Sequence, residues 1–177
     1  NPSLFKEAPS VSKISSKSVT LVRRWREASE MIKKGAPIPL LWPANHAEAG
    51  KRLAEACPFF TLTILPQKPN RGEIFRTAEM FEANPVIFAG EYDCWKEKEW
   101  LSLLKKLGEK RLFILSARTP YSLLSLPDSG GFFALYSDGR ASLDALANIL
   151  NGRARPKGKL PVEIPGHCPM GWGEEEF

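Results

Sequence analysis

Cysteine and histidine are scarce in this chain of 177 residues. The three cysteines, Cys57, Cys94 and Cys168, are odd in number and far apart, with no C-x-x-C pair. The only histidines are His46 and His167. That spacing argues against a disulfide framework and against a zinc site, and leaves reduced, passive thiols. No apolar run reaches the ~18 residues of a membrane-spanning helix, and no leader segment is visible, so the expectation is no membrane partner and a cytoplasmic location. Glycine-rich phosphate loops are missing as well. There is no G-x-G-x-x-G, no G-x-x-x-x-G-K-[ST] and no G-x-S-x-G elbow. Ser116 ends an apolar run with no base nearby in sequence, which argues against a hydrolase triad. No metal and no organic cofactor are expected.

What is present is the composition of one buried α/β domain. Hydrophobic residues make up 43% of the chain, enough for a single well-filled core. The formal net charge is +5, but 25 Lys and Arg are mixed with 20 Asp and Glu. The densest basic groups are Arg23-Arg24-Trp25-Arg26 and Arg153-Ala154-Arg155-Pro156-Lys157. They read as solvated surface, so no nucleic-acid partner is expected. The chain opens Asn1-Pro2 without a methionine and reads as a processed product or a piece of something longer. Residues 1–17 are polar and read as a linker and entry segment; 18–177 read as one domain.

Short apolar runs alternate with helical patterns from residue 18 onward. Strands are expected over 18–22, 38–42, 59–65, 86–90, 112–116, 132–136 and 160–164. Helices are expected over 25–34, 47–56, 71–83, 96–107 and 142–150, with a short turn over 119–124. Asn45 is placed to cap the second helix, and Ile74, Phe75, Ala78 and Phe81 to line one side of the third. Trp100, Leu103, Leu104 and Leu107 form the stripe of the fourth. Continuous rather than alternating strands mean burial on both faces. The fold expected is a three-layer α/β sandwich with a largely parallel, doubly wound sheet of about five or six strands.

In such a sheet, ligands meet the loops that leave the carboxyl ends of the strands. Gly90-Glu91-Tyr92-Asp93 puts two acids past a central strand, with Trp95 close by. Paired carboxylates are what glycosidic cleavage uses. The alternative is that Glu91 and Asp93 cap the next helix. His46 stands at a strand-to-helix junction, where it either reaches the crevice or serves as a capping or surface residue. Other loops at this end start at Ala117-Arg118-Thr119 and Ser137-Asp138-Gly139-Arg140.

The final stretch carries the most specific pattern. Ala141 to Leu150, Gly152, Pro156-Lys157-Gly158-Lys159-Leu160-Pro161-Val162, Pro165-Gly166 and Gly171-Trp172-Gly173 follow in order. This resembles the close of the C-terminal domain of family 3 glycoside hydrolases, the β-glucosidase and β-N-acetylglucosaminidase superfamily. Ser18-Val19-Thr20-Leu21-Val22 resembles the family's "SVTLL", Pro39-Leu40 its "LPL", and Arg118-Thr119-Pro120-Tyr121-Ser122-Leu123 its "SPYDL" turn. The likeness runs from about residue 10 to the end. It implies a tail that is structural, with Gly158 in a tight turn and Pro161 opening a last edge strand. It also implies that the nucleophile lies on a (β/α)8 barrel absent from these residues, the N-terminal partner domain of the same protein. Glu91 matches the first glutamate of the family's long acid/base loop, not the catalytic one, and the rest of that loop is missing. The resemblance therefore points to the N-acetylglucosaminidase branch. The parent would hydrolyse terminal β-linked N-acetylglucosamine or glucose with the carbohydrate at the domain interface. This chain alone would be inactive and hold no catalytic residue. Glu91, Asp93 and Arg118 are the rim candidates for substrate binding. Rival readings are a non-catalytic binding or dimerisation module, with a homodimer left open, and a free-standing nucleotide- or polyanion-binding protein, which the missing phosphate loop disfavours.

Overall fold

The computed structural model describes residues 9–24 and 26–177. Most of the expected linker, residues 1–8, and Trp25 in the first basic group lie outside the described residues. The elements run α1 (Pro9–Ser18), β1 (Thr20–Arg23), α2 (Arg26–Lys33), β2 (Ile38–Pro43), α3 (Ala47–Ala56), β3 (Phe60–Leu65), α4 (Arg71–Met80), β4 (Ile87–Glu91), α5 (Lys98–Leu107), β5 (Leu112–Ser116), β6 (Gly131–Ala134) and α6 (Arg140–Leu150). Short 3-10 turns at Ala44–His46, Glu109–Arg111 and Pro120–Leu124 join some of them. The six strands make one sheet in the order β1-β6-β5-β4-β2-β3. All neighbours pair parallel except β1, which runs antiparallel to β6. Helices cover both faces, and the fold is the α/β sandwich expected from the sequence.

The period-two alternation of each strand divides the core. On one face Leu40, Trp42, Phe88, Phe113 and Phe133 meet Leu53 of α3 and Leu143, Leu146 and Leu150 of α6. Four phenylalanines form a row across this face: Phe60 to Phe88 at 5.0 Å, Phe88 to Phe113 at 4.7 Å and Phe113 to Phe133 at 5.4 Å between ring centroids. These are spacings at which aromatic rings attract. On the other face Leu41, Ile87, Ala89, Ile114 and Phe132 meet Trp100, Leu103, Leu104 and Leu107 of α5, the stripe read from the sequence. Helix α1, from the segment read as entry, lies against α6.

Several local expectations fail for identifiable reasons. Phe75 of α4 is exposed rather than inward. Its ring instead lies under the Lys106 ammonium at 4.5 Å, with the Arg71 guanidinium 5.8 Å away, in cation–π range. Asn45 makes no capping bond, because the chain enters α3 through a 3-10 turn and His46 takes the cap position. The strand expected over 160–164 does not join the sheet. Pro161 removes a donor within that segment and Pro165 the one just after it, and its only β contact among the described residues is an isolated bridge between Ile164 and Cys168.

The tail covers the open edge of β1 instead. Gly158 N–H donates to the Val19 carbonyl at 3.1 Å, Glu174 N–H to Leu21 at 2.8 Å, and the Trp172 indole N–H to Val22 at 2.9 Å. Leu160 and Trp172 hold the two passes of the tail together, with Leu160 N–H donating to the Trp172 carbonyl at 2.7 Å. An uncovered edge strand invites pairing with other chains. Gly158 is needed here for close approach rather than for a turn: a Cβ would strike the carbonyl oxygens of Ser18 and Val19. Gly158→Val is expected to cost about 1–3 kcal/mol, read as a lower urea midpoint with the far-ultraviolet spectrum of the folded state retained.

Burial pushes the Cys57 thiol up to about 12, against a weaker opposing bond from Asn151, and raises Cys94 further still. Cys168 is only half-buried. Alkylation near pH 8 followed by mass spectrometry is expected to label Cys168 first, and Cys57 and Cys94 only after unfolding.

Candidate binding site at the strand carboxyl ends

After β3 the winding of the sheet reverses: β3 lies on one side of β2, and β4, β5 and β6 on the other. Reversal opens a crevice beyond the carboxyl ends of β2 and β4. Three loops converge there: Ala44–His46 after β2, Tyr92–Asp93 after β4, and the stretch through Asp138 after β6.

Trp42, the fully buried tryptophan near the end of β2, fixes the first two. It fits because Gly50 of α3 and Gly90 of β4 have no side chain; a Cβ on either would lie 2.7 Å or 2.5 Å from the indole. The Trp42 ring meets Tyr92 edge-on, with centroids 6.2 Å apart at 79°. Tyr92 in turn stacks on His46, with centroids 3.6 Å apart at 11°. Both then turn their polar atoms to one carboxylate. The Tyr92 hydroxyl donates to Asp138 Oδ2 at 3.0 Å, and His46 Nδ1 lies 3.1 Å from the same oxygen. Burial, reinforced by the Asp138 charge, raises the Tyr92 phenol well above its ordinary range, so it stays a donor. An ionised carboxylate only accepts, so Nδ1 of His46 carries the hydrogen and Nε2 is the acceptor in the neutral ring. Beside this cluster a cleft of about 520 Å³ opens, lined by Asn45, His46, Glu48, Arg52, Asp138 and Arg140 among others.

The two acids singled out in the sequence face inward. Glu91 is completely buried. Its Oε2 accepts from Cys94 N–H at 2.9 Å and from the Ser122 hydroxyl at 2.7 Å. Asp93, at φ 55°, accepts from the Thr119 hydroxyl at 3.0 Å and from Lys96 Nζ at 3.1 Å. Together they tie the loop after β4 to the 3-10 turn after β5. Arg118 is exposed at the same end of the sheet. Trp95 is also exposed, with Lys96 Nζ 4.5 Å from its ring centroid. Tyr92 and Asp138 were not singled out from the sequence. Their signal was there in part, since each lies in a loop already marked as leaving a strand end. His46 occupies the cap position and reaches the crevice as well. Among the described residues no group of three His, Cys, Asp or Glu is placed to hold a metal ion, and no helix is long and apolar enough to cross a membrane.

With this geometry in hand, comparison with solved structures is informative. A family 3 β-N-acetylglucosaminidase from Paenibacillus sp. FPU-7 matches with TM-score 0.75 and 23% identity, over 93% of this chain and 34% of that one. The chain has the fold of a domain of family 3 glycoside hydrolases. A fungal multi-domain family 3 β-N-acetylglucosaminidase matches with TM-score 0.70 and 12% identity, over 90% of this chain and 19% of that one. A β-glucosidase from Listeria innocua matches with TM-score 0.67 and 13% identity, over 92% and 27%. The chain thus spans about a third or less of these family 3 enzymes. No family model and no curated protein sequence matches it.

Burial is the main cause that raises the Glu91 carboxyl above its ordinary 4.5, outweighing the hydrogen bonds that favour its ionised form. A raised folded value means the native state holds this proton more tightly than the unfolded chain. The contribution is therefore complete below pH 4.5 and is lost as pH rises through the folded value. Glu91→Gln keeps the acceptor and removes the titration. The wild type is expected to lose stability relative to Glu91→Gln as pH rises above about 4.5, in urea midpoints measured for both across pH 4–8.

Proposed function

We propose that this chain is the C-terminal domain of a family 3 glycoside hydrolase. In this reading it packs beside a (β/α)8 barrel that hydrolyses terminal β-linked N-acetylglucosamine, with retention through a glycosyl-enzyme. The single observation that carries it is the match to the Paenibacillus β-N-acetylglucosaminidase, which takes in nearly all of this chain and a third of that one. Two features support it independently. The tail pattern from Pro156 to Gly173 lies along the edge of β1, as a structural closing motif should. The loop after β4 is short and runs through Asp93 into α5 at Lys98, leaving no room for an acid/base arm.

The division of labour follows from the site. The carboxylates of Glu91 and Asp93 are engaged by donors of their own domain, so their role is to hold the rim loops in place. Arg118, exposed beside them, is the rim residue free to reach a sugar or the barrel. Catalysis belongs to the barrel. The engagement of both acids also favours a second reading, a purely packing or dimerising module of the same fold.

Aryl β-N-acetylglucosaminide and aryl β-glucoside separate these. The longer parent protein is expected to cleave the first faster than the second, and the 177-residue chain neither. Turnover by the chain alone would overturn the reading. Arg118→Ala in the parent is expected to lower kcat/KM by about tenfold, the scale of one lost charged hydrogen bond; no change would favour the packing module.

A further inference from the structure

The cleft beside His46 adjoins the rim loops just described, but Glu91, Asp93 and Arg118 do not line it. Its walls come from the entry to α3 and from the loop before α6, all within this chain. At about 520 Å³ it has the size of a small-molecule site, and it stands at the reversal point of the sheet.

Its lining has a distinctive charge pattern. Arg52 and Arg140 contribute two guanidinium groups, and Glu48 and Asp138 two carboxylates. The signs balance, so no field of one sign fills the cleft. A phosphate or other polyanion would meet both carboxylates along with the arginines. The loop Ala44–His46 has no glycine through which a phosphate could approach the backbone. What the lining offers is a mixture of donors and acceptors: arginine N–H groups, carboxylate oxygens and the Asn45 amide.

The most ordered of these groups is Asp138. One of its oxygens already accepts from Tyr92 and His46, so the carboxylate is held without help from a ligand. Its side chain is 40% exposed to the cleft and solvent. Oδ1 takes no bond from the described residues. Arg52 likewise makes no hydrogen bond or ion pair to a described residue, and Arg140 has only a loose contact of 3.6 Å with Asp144 on the outer face of α6. A fixed acceptor beside donors with hydrogen bonds to spare is the arrangement that suits adjacent hydroxyl groups, each of which gives one hydrogen bond and takes another.

We propose that this cleft binds a neutral polyhydroxylated ligand, a saccharide ring, with Asp138 accepting from its hydroxyls and Arg52 and Arg140 donating to them. The assignment deepens the glycosidase reading by adding a sugar site wholly inside this domain, but it does not depend on the barrel. A chain that is not part of a glycosidase could hold the same site. Conversely, the parent could cleave its substrate while this cleft stays empty.

The test uses the 177-residue chain and amide NMR, with N,N′-diacetylchitobiose and cellobiose as probes and inorganic phosphate as the anionic control. Saturable shifts confined to residues 44–52 and 137–140 at millimolar sugar are expected. Asp138→Asn keeps the shape and loses the charge, and is expected to weaken binding about tenfold or more. Arg140→Ala, at an exposed position, provides a second variant with the same expected direction. Absence of saturable shifts with either sugar overturns the proposal. So does phosphate binding more tightly than both sugars, or unchanged affinity in both variants.

Discussion

Trp42 is the residue on which the working end of this sheet depends. The indole sits where the winding reverses, between strand β4 and helix α3. Gly50 and Gly90 leave the room it occupies. From there order passes outward by contact: Trp42 meets Tyr92 edge-on, Tyr92 stacks on His46, and both bond to Asp138. Each step is worth little alone, about 0.5–1.5 kcal/mol for an aromatic pair. Together they fix three loops that would otherwise be free surface segments. The functional end of the domain is therefore an extension of its core.

The opposite requirement, protecting an edge, shapes the tail. β1 runs antiparallel at the end of an otherwise parallel sheet, and its outer side would be open without residues 158–174. This explains why so specific a run of glycine, lysine and proline need carry no chemistry. Gly158 is demanded by contact with the backbone of residues 18 and 19. The prolines keep the tail out of the ladder, where it would form a new edge.

Much of the fold was legible in the sequence because its signals are local and periodic. The stripe of α5 and the apolar runs of β2, β4 and β5 emerge within a residue or two of their observed limits. Errors arose where tertiary contact overrode local pattern. Phe75 has the spacing of a core residue but is met by two cations, Arg71 of its own helix and Lys106 of α5. The segment 160–164 has strand-like residues, but Pro161 interrupts its donors and the N–H groups of Leu160 and Ile164 are spent on the tail itself. The loops of the site were legible in the same way, since strand ends in this architecture gather ligands. Their roles were not. Glu91 and Asp93 look like a catalytic pair until their donors, Ser122, Thr119, Lys96 and the Cys94 amide, are seen around them. The partnership of His46, Tyr92 and Asp138 spans 92 residues of sequence, and no local pattern announces a contact of that range.

The bonds from Tyr92 and His46 hold the Asp138 carboxylate in place without a ligand. Nitrogen NMR of the His46 ring in the unliganded chain, at mildly alkaline pH, tests this most directly. The contact with Asp138 predicts one tautomer, with the hydrogen on Nδ1 and its exchange slowed, and a shift of that signal in Tyr92→Phe. A ring averaging between tautomers, or one with the hydrogen on Nε2, would contradict it.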